Sequence, residues 1–253
     1  TASVSAIVGD SVSASKSFRF GVREFTCPID GNRLTLFCNG TRIVARGGNW
    51  GMDDALKLDR AQAYDDKVRL TAEANLVMIR NWVGQTHNEA FYDACDKYGI
   101  LVWDDFWLAN PADGPDPKDE AMFIQNAMDK TRRFRHHASL ALYCGRNEAN
   151  PPPSLDEAMR TLTEALDGTR IYLPNSAAAP VGSGGGYALR HPRQYFDDVP
   201  DVTLRSEMGI PNIPDIESIH RFLEPEHRWP VSEAWALHDF TFYMNGPANT
   251  YVE

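Results

Sequence analysis

The amino-acid sequence predicts an α/β fold, a (β/α)8 TIM barrel preceded by a short β remnant. The chain has 253 residues, a length that commonly forms a single α/β barrel domain. Beyond residue 50, helical patterns alternate with short apolar runs, which is typical of parallel α/β architecture. About eight strand candidates follow one another from Arg42 onward, and eight is the number that such a barrel needs.

The composition excludes several classes of protein. The chain carries 25 Lys plus Arg against 35 Asp plus Glu, so its formal net charge is −10 and a nucleic acid is not an expected partner. Its apolar runs are far shorter than the roughly 20 residues of a membrane-spanning helix, so no membrane partner is expected. The cysteines lack the Cys-x-x-Cys spacing of a zinc site. We expect three or four buried free thiols, with a Cys27–Cys38 disulfide as the alternative.

The first part of the chain reads as β structure. Residues 1–17 alternate small apolar and polar residues and are expected to be the remnant of an upstream domain or a linker. Residues 18–253 are assigned to the barrel, and we expect its C-terminal end to be truncated, because the eighth helix should still be forming there. Turn signals at Asp30-Gly31-Asn32 and Asn39-Gly40 lead into a predicted first core strand over 42–50.

Helix and strand then alternate. Asp59 and Ser154 are predicted helix caps, and Gly99 is a predicted helix stop. Apolar residues at three- and four-residue spacing mark the helices. Strands are predicted at 76–79, 100–103, 140–143, 170–173, 187–189, 202–204 and 229–235, with a Pro- and Asp-rich loop over 110–119 and a helix around 216–223. A doubly wound nucleotide-binding sheet is the competing fold, but no Gly-x-Gly-x-x-Gly follows the first strand.

The residues that follow barrel strands point to the chemistry. In an α/β barrel, the residues just past the C-terminal ends of the strands face the active site. This strand-end rule selects Arg80, Asn81, Trp82, Asp104, Asp105, Asn147, Glu148, Asn175, Ser206 and Glu207. The set is rich in carboxylates and aromatic rings and has no cluster of His and Cys. It therefore argues against a metal hydrolase and favours carbohydrate chemistry, with no metal and no cofactor expected.

Two glutamates fit the needs of glycoside cleavage. One carboxylic acid must protonate the leaving oxygen, and one carboxylate must meet the developing oxocarbenium ion. Glu148 and Glu207 end the predicted fourth and seventh strands, which face each other across a barrel mouth. A separation of about 5–5.5 Å would suit double displacement with retention of configuration. A lone glutamate at a strand end could equally form a surface salt bridge.

Four motifs of the sequence carry a family resemblance. Residues 142–148 read Leu-Tyr-Cys-Gly-Arg-Asn-Glu, residues 204–209 contain Ser-Glu-x-Gly, residues 80–84 read Arg-x-Trp-x-Gly, and residues 91–103 form a predicted helix and strand. Together they resemble glycoside hydrolase family 2, in its β-mannosidase-like branch of β-mannosidases, endo-β-mannosidases and exo-β-glucosaminidases. In that resemblance, residues 142–148 look like the strand-four motif that ends in the general acid/base, although Tyr143 and Arg146 depart from it, and residues 204–209 are similar to the motif of the nucleophile.

The resemblance implies a retaining β-glycosidase that hydrolyses β-mannosides through a covalent glycosyl-enzyme. Glu148 would be the acid/base and Glu207 the nucleophile, and Asn147 would bond the sugar 2-hydroxyl. Asp104 stands where relatives often have Gln. Each Trp could instead belong to the core, and Arg80 could simply tie strand ends together. The further substrate-binding candidates are Arg80, Trp82, Asp105, Trp107, Tyr187, Trp235 and His238.

Two alternatives stay open. An exo-β-D-glucosaminidase or another family 2 β-glycosidase is the alternative among enzymes, because an acidic site would suit an ammonium sugar. A catalytically silent carbohydrate-binding barrel is the alternative from another class. A β-linked oligosaccharide or glycoside is the expected ligand. The resemblance implies β-sandwich domains before the barrel, so other domains or chains of the same enzyme are expected partners. A secreted or periplasmic location is favoured over a cytoplasmic one.

Overall fold

A computed structural model describes residues 1–51, 60–182, 193, 204–208, 214–230 and 232–236. The chain divides into two compact units. The first unit comprises Thr1–Ser183 and Asp201–Ser206, and the second comprises Gly184–Pro200 and Glu207–Glu253. The predicted strand at 187–189, the proposed cap Asp59, and residues 202 and 203 lie outside the described residues.

Short antiparallel strands open the first unit. Strands β1 and β2 pair as a hairpin, β3, β6 and β7 form a three-stranded sheet, and β4 pairs with β5. The predicted Asn39-Gly40 turn joins β6 to β7, with φ of 50° and 74°, as the two central residues of a tight hairpin turn require. The bounds are Ala2–Val8, Ser11–Phe18, Phe25–Thr26, Ile29–Asp30, Arg33–Leu34, Leu36–Cys38 and Thr41–Ile43.

A five-stranded parallel sheet forms the centre of the first unit. Its spatial order is β12-β11-β10-β9-β8, and all four pairings are parallel. Helices α1 to α4 lie between successive strands in the sequence. The strands β8 to β12 are Gly47–Trp50, Met78–Asn81, Leu101–Asp105, Leu140–Arg146 and Ile171–Asn175, and the helices are Ala61–Glu73, Glu89–Tyr98, Glu120–Phe134 and Pro153–Leu166.

The strand order bears directly on the predicted fold. Each strand pairs with the next one in the sequence, whereas a doubly wound sheet reverses its order at a switch point. The α/β class and the parallel sheet are thus confirmed, and the order is the one that five consecutive strands of a barrel would have. Closure into a complete eight-stranded barrel stays a prediction.

Local sequence signals account for several helix ends. Gly99 ends α2 with φ of 72°, a left-handed conformation that glycine adopts without a steric penalty. Asp119 begins α3 by accepting a hydrogen bond from the N–H of Met122. Two expectations were wrong. The Ser154 hydroxyl donates to Glu120 instead of capping α4, which begins at Pro153, and the single strand predicted over 42–50 is split between β7 and β8.

The parallel sheet buries side chains on both faces, because successive residues of a strand point to opposite sides. One face packs against the helices, and we call it the helix-facing side; its core includes Ile79, Val102 and Tyr143. The opposite face, which we call the site side, carries Met78, Trp103 and other apolar residues, packed with Phe25, Leu34 and Leu36 of the first strands. All four cysteines are free thiols, as expected, but only Cys95 and Cys144 are buried, whereas Cys27 and Cys38 are half-buried.

The described residues of the second unit include the α-helices α5 (Ile216–Phe222) and α6 (Glu233–Ala236) and a short 3-10 helix at Pro225–His227. The helix predicted around 216–223 is confirmed, and Asp215 caps it. The strand predicted over 229–235 is wrong, because Glu233–Ala236 is helical and Trp235 packs with Ile219 and Leu223. Among the described residues, no helix combines the length and apolarity of a membrane span.

Candidate active site

The C-terminal ends of β9, β10 and β11 bring three predicted site residues together on the site side. Arg80 Nη2 donates to Asp105 Oδ2 at 2.6 Å and to Asn147 Oδ1 at 2.8 Å, and Arg80 Nε lies 3.1 and 3.2 Å from the two Asp105 oxygens. Arg80, Asp105 and Asn147 are only 3%, 0% and 2% exposed. Because Asn147 Oδ1 accepts from a guanidinium, Nδ2 is the atom of this amide that can donate to a sugar hydroxyl.

The Asp105 carboxylate is fixed from two directions. Burial raises its pKa, and the Arg80 guanidinium and the N–H of Val83 oppose that rise. Val83 donates to Asp105 Oδ2 at 3.0 Å from a backbone with φ of 44°, a strained conformation for a β-branched residue. A Cβ at Gly84 would lie 2.6 Å from the Asp105 carbonyl oxygen. The Arg-x-Trp-x-Gly segment therefore approaches both the carboxylate and the backbone carbonyl of Asp105.

Glu148 follows directly after Asn147 and is half-buried. Its φ is 53°, and such a left-handed conformation in a residue other than glycine marks a constrained and often functional position. Its N–H donates to Ser176 Oγ at 2.9 Å, and its Oε2 accepts from Asn110 Nδ2 at 2.9 Å. The loops that follow β12 and β10 therefore hold the backbone and the carboxylate of Glu148.

The strand before Glu148 needs glycine at one position. A Cβ at Gly145 would clash with Tyr172 Oη and would lie 2.9 Å from the carbonyl oxygen of Pro174. Only a residue without a side chain lets β11 approach β12 this closely. The Gly in the Cys-Gly stretch thus sets the strand spacing just ahead of the candidate acid.

Arg146, which departs from the family motif, is buried and binds the loop after β10. Its Nε donates to the carbonyl of Ala109 at 2.8 Å, and its Nη1 donates to Asp116 Oδ1 at 2.7 Å. Sequence reasoning missed Asn110 and Ser176, whose side chains form hydrogen bonds with Glu148. The strand-end rule could have found Ser176, which follows β12 directly, but nothing in the Pro- and Asp-rich loop singles out Asn110.

Asp104 lies on the helix-facing side, away from the group around Arg80. Its carboxylate accepts from Lys130 Nζ, Asn81 Nδ2 and the Tyr92 hydroxyl, each at 2.8 Å. Asn81, which the strand-end rule also selected, belongs to this second group. Burial and the Asp104 carboxylate raise the pKa of Tyr92 well above its usual range, so that its hydroxyl remains a donor.

The other predicted substrate-binding residues are dispersed. Trp82 is half-buried in the short turn after β9. Trp107 packs on the helix-facing side, with its ring centroid 5.9 Å from Phe123 and 5.3 Å from Lys130 Nζ, so it is grouped with core residues. In the second unit, Trp235 Nε1 donates to the carbonyl of His227. Tyr187 and His238 lie outside the described residues. Their roles in binding substrate stay predictions.

Glu207 is described and half-buried. It belongs to the second unit, whereas Glu148 belongs to the first. The pairing of the two carboxylates at one anomeric centre therefore stays a prediction.

Within the described part of the chain, one group of side chains could hold a metal ion. Ligand atoms of Glu89, His136 and His137 lie within 4.8 Å of one another. Arg133 Nε, however, donates to Glu89 Oε1 at 2.7 Å, and His137 Nδ1 lies 2.8 Å from Asp96 Oδ2. The guanidinium beside Glu89 disfavours a second cation, so the cluster is better described as an ion-pair network that joins α2 to the end of α3 and to the residues directly after it.

Comparisons with known proteins show what this chain is similar to. The chain is 32% identical to mannosylglycoprotein endo-β-mannosidase of Lilium longiflorum over 266 aligned positions, covering 87% of the chain and 28% of that protein. The solved β-D-mannosidase of Dictyoglomus thermophilum matches with a TM-score of 0.71 and 26% identity, over 87% of this chain and 31% of that one.

A third comparison supports the fold. The exo-chitosanase of Amycolatopsis orientalis matches with a TM-score of 0.76 and 19% identity, over 89% of this chain and 29% of that one. No family model matches the chain. The chain spans less than a third of the length of each of these three proteins.

Proposed function

We propose that this chain, which belongs to glycoside hydrolase family 2 on its β-mannosidase-like branch, carries the catalytic residues of a retaining β-glycosidase that hydrolyses β-mannosides. One observation carries the proposal. Glu148 follows the fourth of five consecutive parallel strands and has a strained backbone, and it is next to an Asn147 amide that Arg80 and Asp105 hold in one orientation.

The proposed reaction has two steps. The Glu148 carboxylic acid protonates the glycosidic oxygen as the bond to the leaving group breaks, and the Glu207 carboxylate attacks the anomeric carbon to form a glycosyl-enzyme. The Glu148 carboxylate then removes a proton from water, whose oxygen attacks the same carbon and releases Glu207, so the configuration is retained. No cofactor enters either step.

The residues around Arg80 hold other side chains in place and take no part in bond making or breaking. Asp105 is fully buried and already accepts from Arg80 and Val83, so we propose that it orients Arg80 instead of binding sugar hydroxyls as the sequence suggested. Arg80 in turn fixes Asn147, whose Nδ2 would donate to the sugar 2-hydroxyl. Such a bond contributes to catalysis when it strengthens as positive charge develops at the anomeric carbon.

Leaving-group dependence tests the role of Glu148. In the complete protein, Glu148→Gln should reduce kcat/KM toward poor leaving groups, such as a β-mannobioside, by about 100-fold or more. Activated aryl β-mannosides need little protonation, so their loss should be much smaller. Glu157→Gln, a change of an exposed glutamate on α4, is the matched control and should leave both rates unchanged. Equal losses for both substrate classes would contradict the assignment of Glu148 as the general acid.

Covalent trapping tests the nucleophile and the substrate together. A 2-deoxy-2-fluoro-β-mannosyl fluoride should inactivate the protein, and mass spectrometry should find the label on Glu207. A panel of aryl β-glycosides that includes β-D-glucosaminide should show the fastest turnover with the mannoside. Faster turnover of the glucosaminide would make it the proposed substrate in place of the mannoside. Sugar binding with no turnover in the panel would favour a catalytically silent barrel.

A further inference from the structure

We propose that Asn110 is a positioning residue for Glu148, and that Arg146 and Asp116 hold the loop that carries it. The proposal rests on the proposed function, in which Glu148 is the acid/base. It gives a role to the buried Arg146, at which this chain departs from the family motif, and to a loop that the sequence marks only as rich in Pro and Asp.

The orientation of the Asn110 amide is set by its own loop. The N–H of Ala112 donates to the side-chain oxygen of Asn110, Oδ1, at 3.0 Å. The N–H groups of Asp113 and Gly114 donate to the backbone carbonyl of Asn110 at 2.8 and 3.2 Å. A backbone N–H can only donate, so the atom it meets is the amide oxygen. The remaining atom, Nδ2, is a donor, and it lies 2.9 Å from Glu148 Oε2.

The loop is fastened to the end of β11 at three points. The N–H of Asn147 donates to the carbonyl of Leu108 at 2.9 Å. Arg146 adds bonds to the Ala109 carbonyl and to Asp116 Oδ1, at 2.8 and 2.7 Å. The Arg146 side chain is 4% exposed and that of Asp116 is 53% exposed, so the guanidinium reaches from the interior to hold an otherwise solvated loop.

This arrangement specifies which oxygen of Glu148 can transfer a proton. Asn110 Nδ2 donates to Oε2 and has no lone pair with which to accept a proton. With Oε2 held in this way, Oε1 is the oxygen that carries the proton to the glycosidic oxygen. Since proton transfer requires heavy atoms within hydrogen-bond reach of each other, a carboxyl that rotates freely would be correctly placed for a smaller fraction of the time.

The test uses the complete protein and compares kcat/KM for a poor and an activated leaving group. Asn110→Ala removes the donor and should lower the rate with β-mannobioside by about tenfold, with little change for the activated aryl mannoside. Asn110→Asp retains an acceptor for Ala112 but places a carboxylate against Glu148, so it should lose at least as much. Arg146→Met should follow the same pattern, and Arg146→Lys should recover part of the rate.

Asp113→Ala is the matched control, because this residue is exposed on the same loop and only its backbone N–H enters the described bonds to Asn110. It should leave both rates unchanged. If Glu148→Gln shows the leaving-group effect but both Asn110 variants match the wild type or lose both substrates equally, the positioning role is refuted and the proposed function stands. If Glu148→Gln itself shows no such effect, the proposed function fails first. Circular dichroism would confirm that the Asn110 variants are folded.

Discussion

Replacement of Lys130 by Met should destabilise the protein more than most single substitutions. Lys130 Nζ donates to Asp104 Oδ1 at 2.8 Å and to the Asp105 carbonyl at 2.6 Å. The side chains of Lys130 and Asp104 are 3% and 0% exposed. The substitution keeps the apolar stem of the side chain beside Phe106 and Trp107 but leaves the Asp104 carboxylate buried without its counter-ion.

The size of the effect follows from the geometry. At 2.8 Å and an effective dielectric constant of about 20, the attraction between the two charges is about 6 kcal/mol before desolvation is counted. Removing one partner of a buried pair usually costs about 3–5 kcal/mol, because the other charge is left uncompensated. Asn81 and Tyr92 still donate to Asp104, so we expect a loss near the lower end, about 3 kcal/mol.

Urea unfolding, monitored by tryptophan fluorescence, gives the free energy of unfolding of each variant. The control is the double variant that combines Asp104→Asn with Lys130→Met. An asparagine at 104 can accept from Asn81 and donate to the Tyr92 oxygen, so the double variant should recover about half or more of the loss. A loss below about 1 kcal/mol for Lys130→Met, or a double variant less stable than the single one, would refute the account of a buried charge pair.

Two further results follow from packing and charge. Gly145→Ala should lower the free energy of unfolding by about 1–3 kcal/mol, because the new methyl group meets Tyr172. Gly48→Ala has open space around its Cβ, so it should lower the free energy of unfolding by less in the same urea assay. For His137, burial lowers the pKa, but the hydrogen bond to Asp96 and its charge raise it more, so the protonated ring stabilises the fold. That contribution is complete below the ordinary histidine pKa of about 6.5 and is lost as the pH rises through the folded value. His137→Gln should therefore cost more stability at about pH 5.5 than at about pH 8.5, and a difference independent of pH would contradict this.

Periodic patterns predicted the elements that lie in the centre of the first unit. Apolar runs located β9 to β12 to within a few residues, because a parallel strand buried on both faces is apolar throughout. Asn39-Gly40 and Gly99 were predictable for a different reason, since each needs a positive φ that few residues adopt readily. The strand at 229–235 failed because a short apolar run can equally form a helix.

The strand-end rule selected polar residues at the ends of the strands, but it could not tell on which face of the sheet each one lies. Asp104 and Asp105 both follow the same apolar run, yet they point to opposite sides because side chains alternate along a strand. Trp103 and Asp105 share the site side, so Asp104 must face the helices. Its partner Lys130 lies on α3, 26 residues away in the sequence, and only the packing of that helix against the sheet brings the two together.

The two departures from the family motif bear on whether this chain could be catalytically silent. Tyr143 lies in the helix-facing core, and its hydroxyl donates to Asp167, which also binds Arg170. It therefore replaces the usual Trp on the side away from the group around Arg80. Arg146 holds the loop from which Glu148 receives its one described side-chain donor. Neither departure removes a residue that the proposed reaction needs, so neither supports a silent barrel over an enzyme.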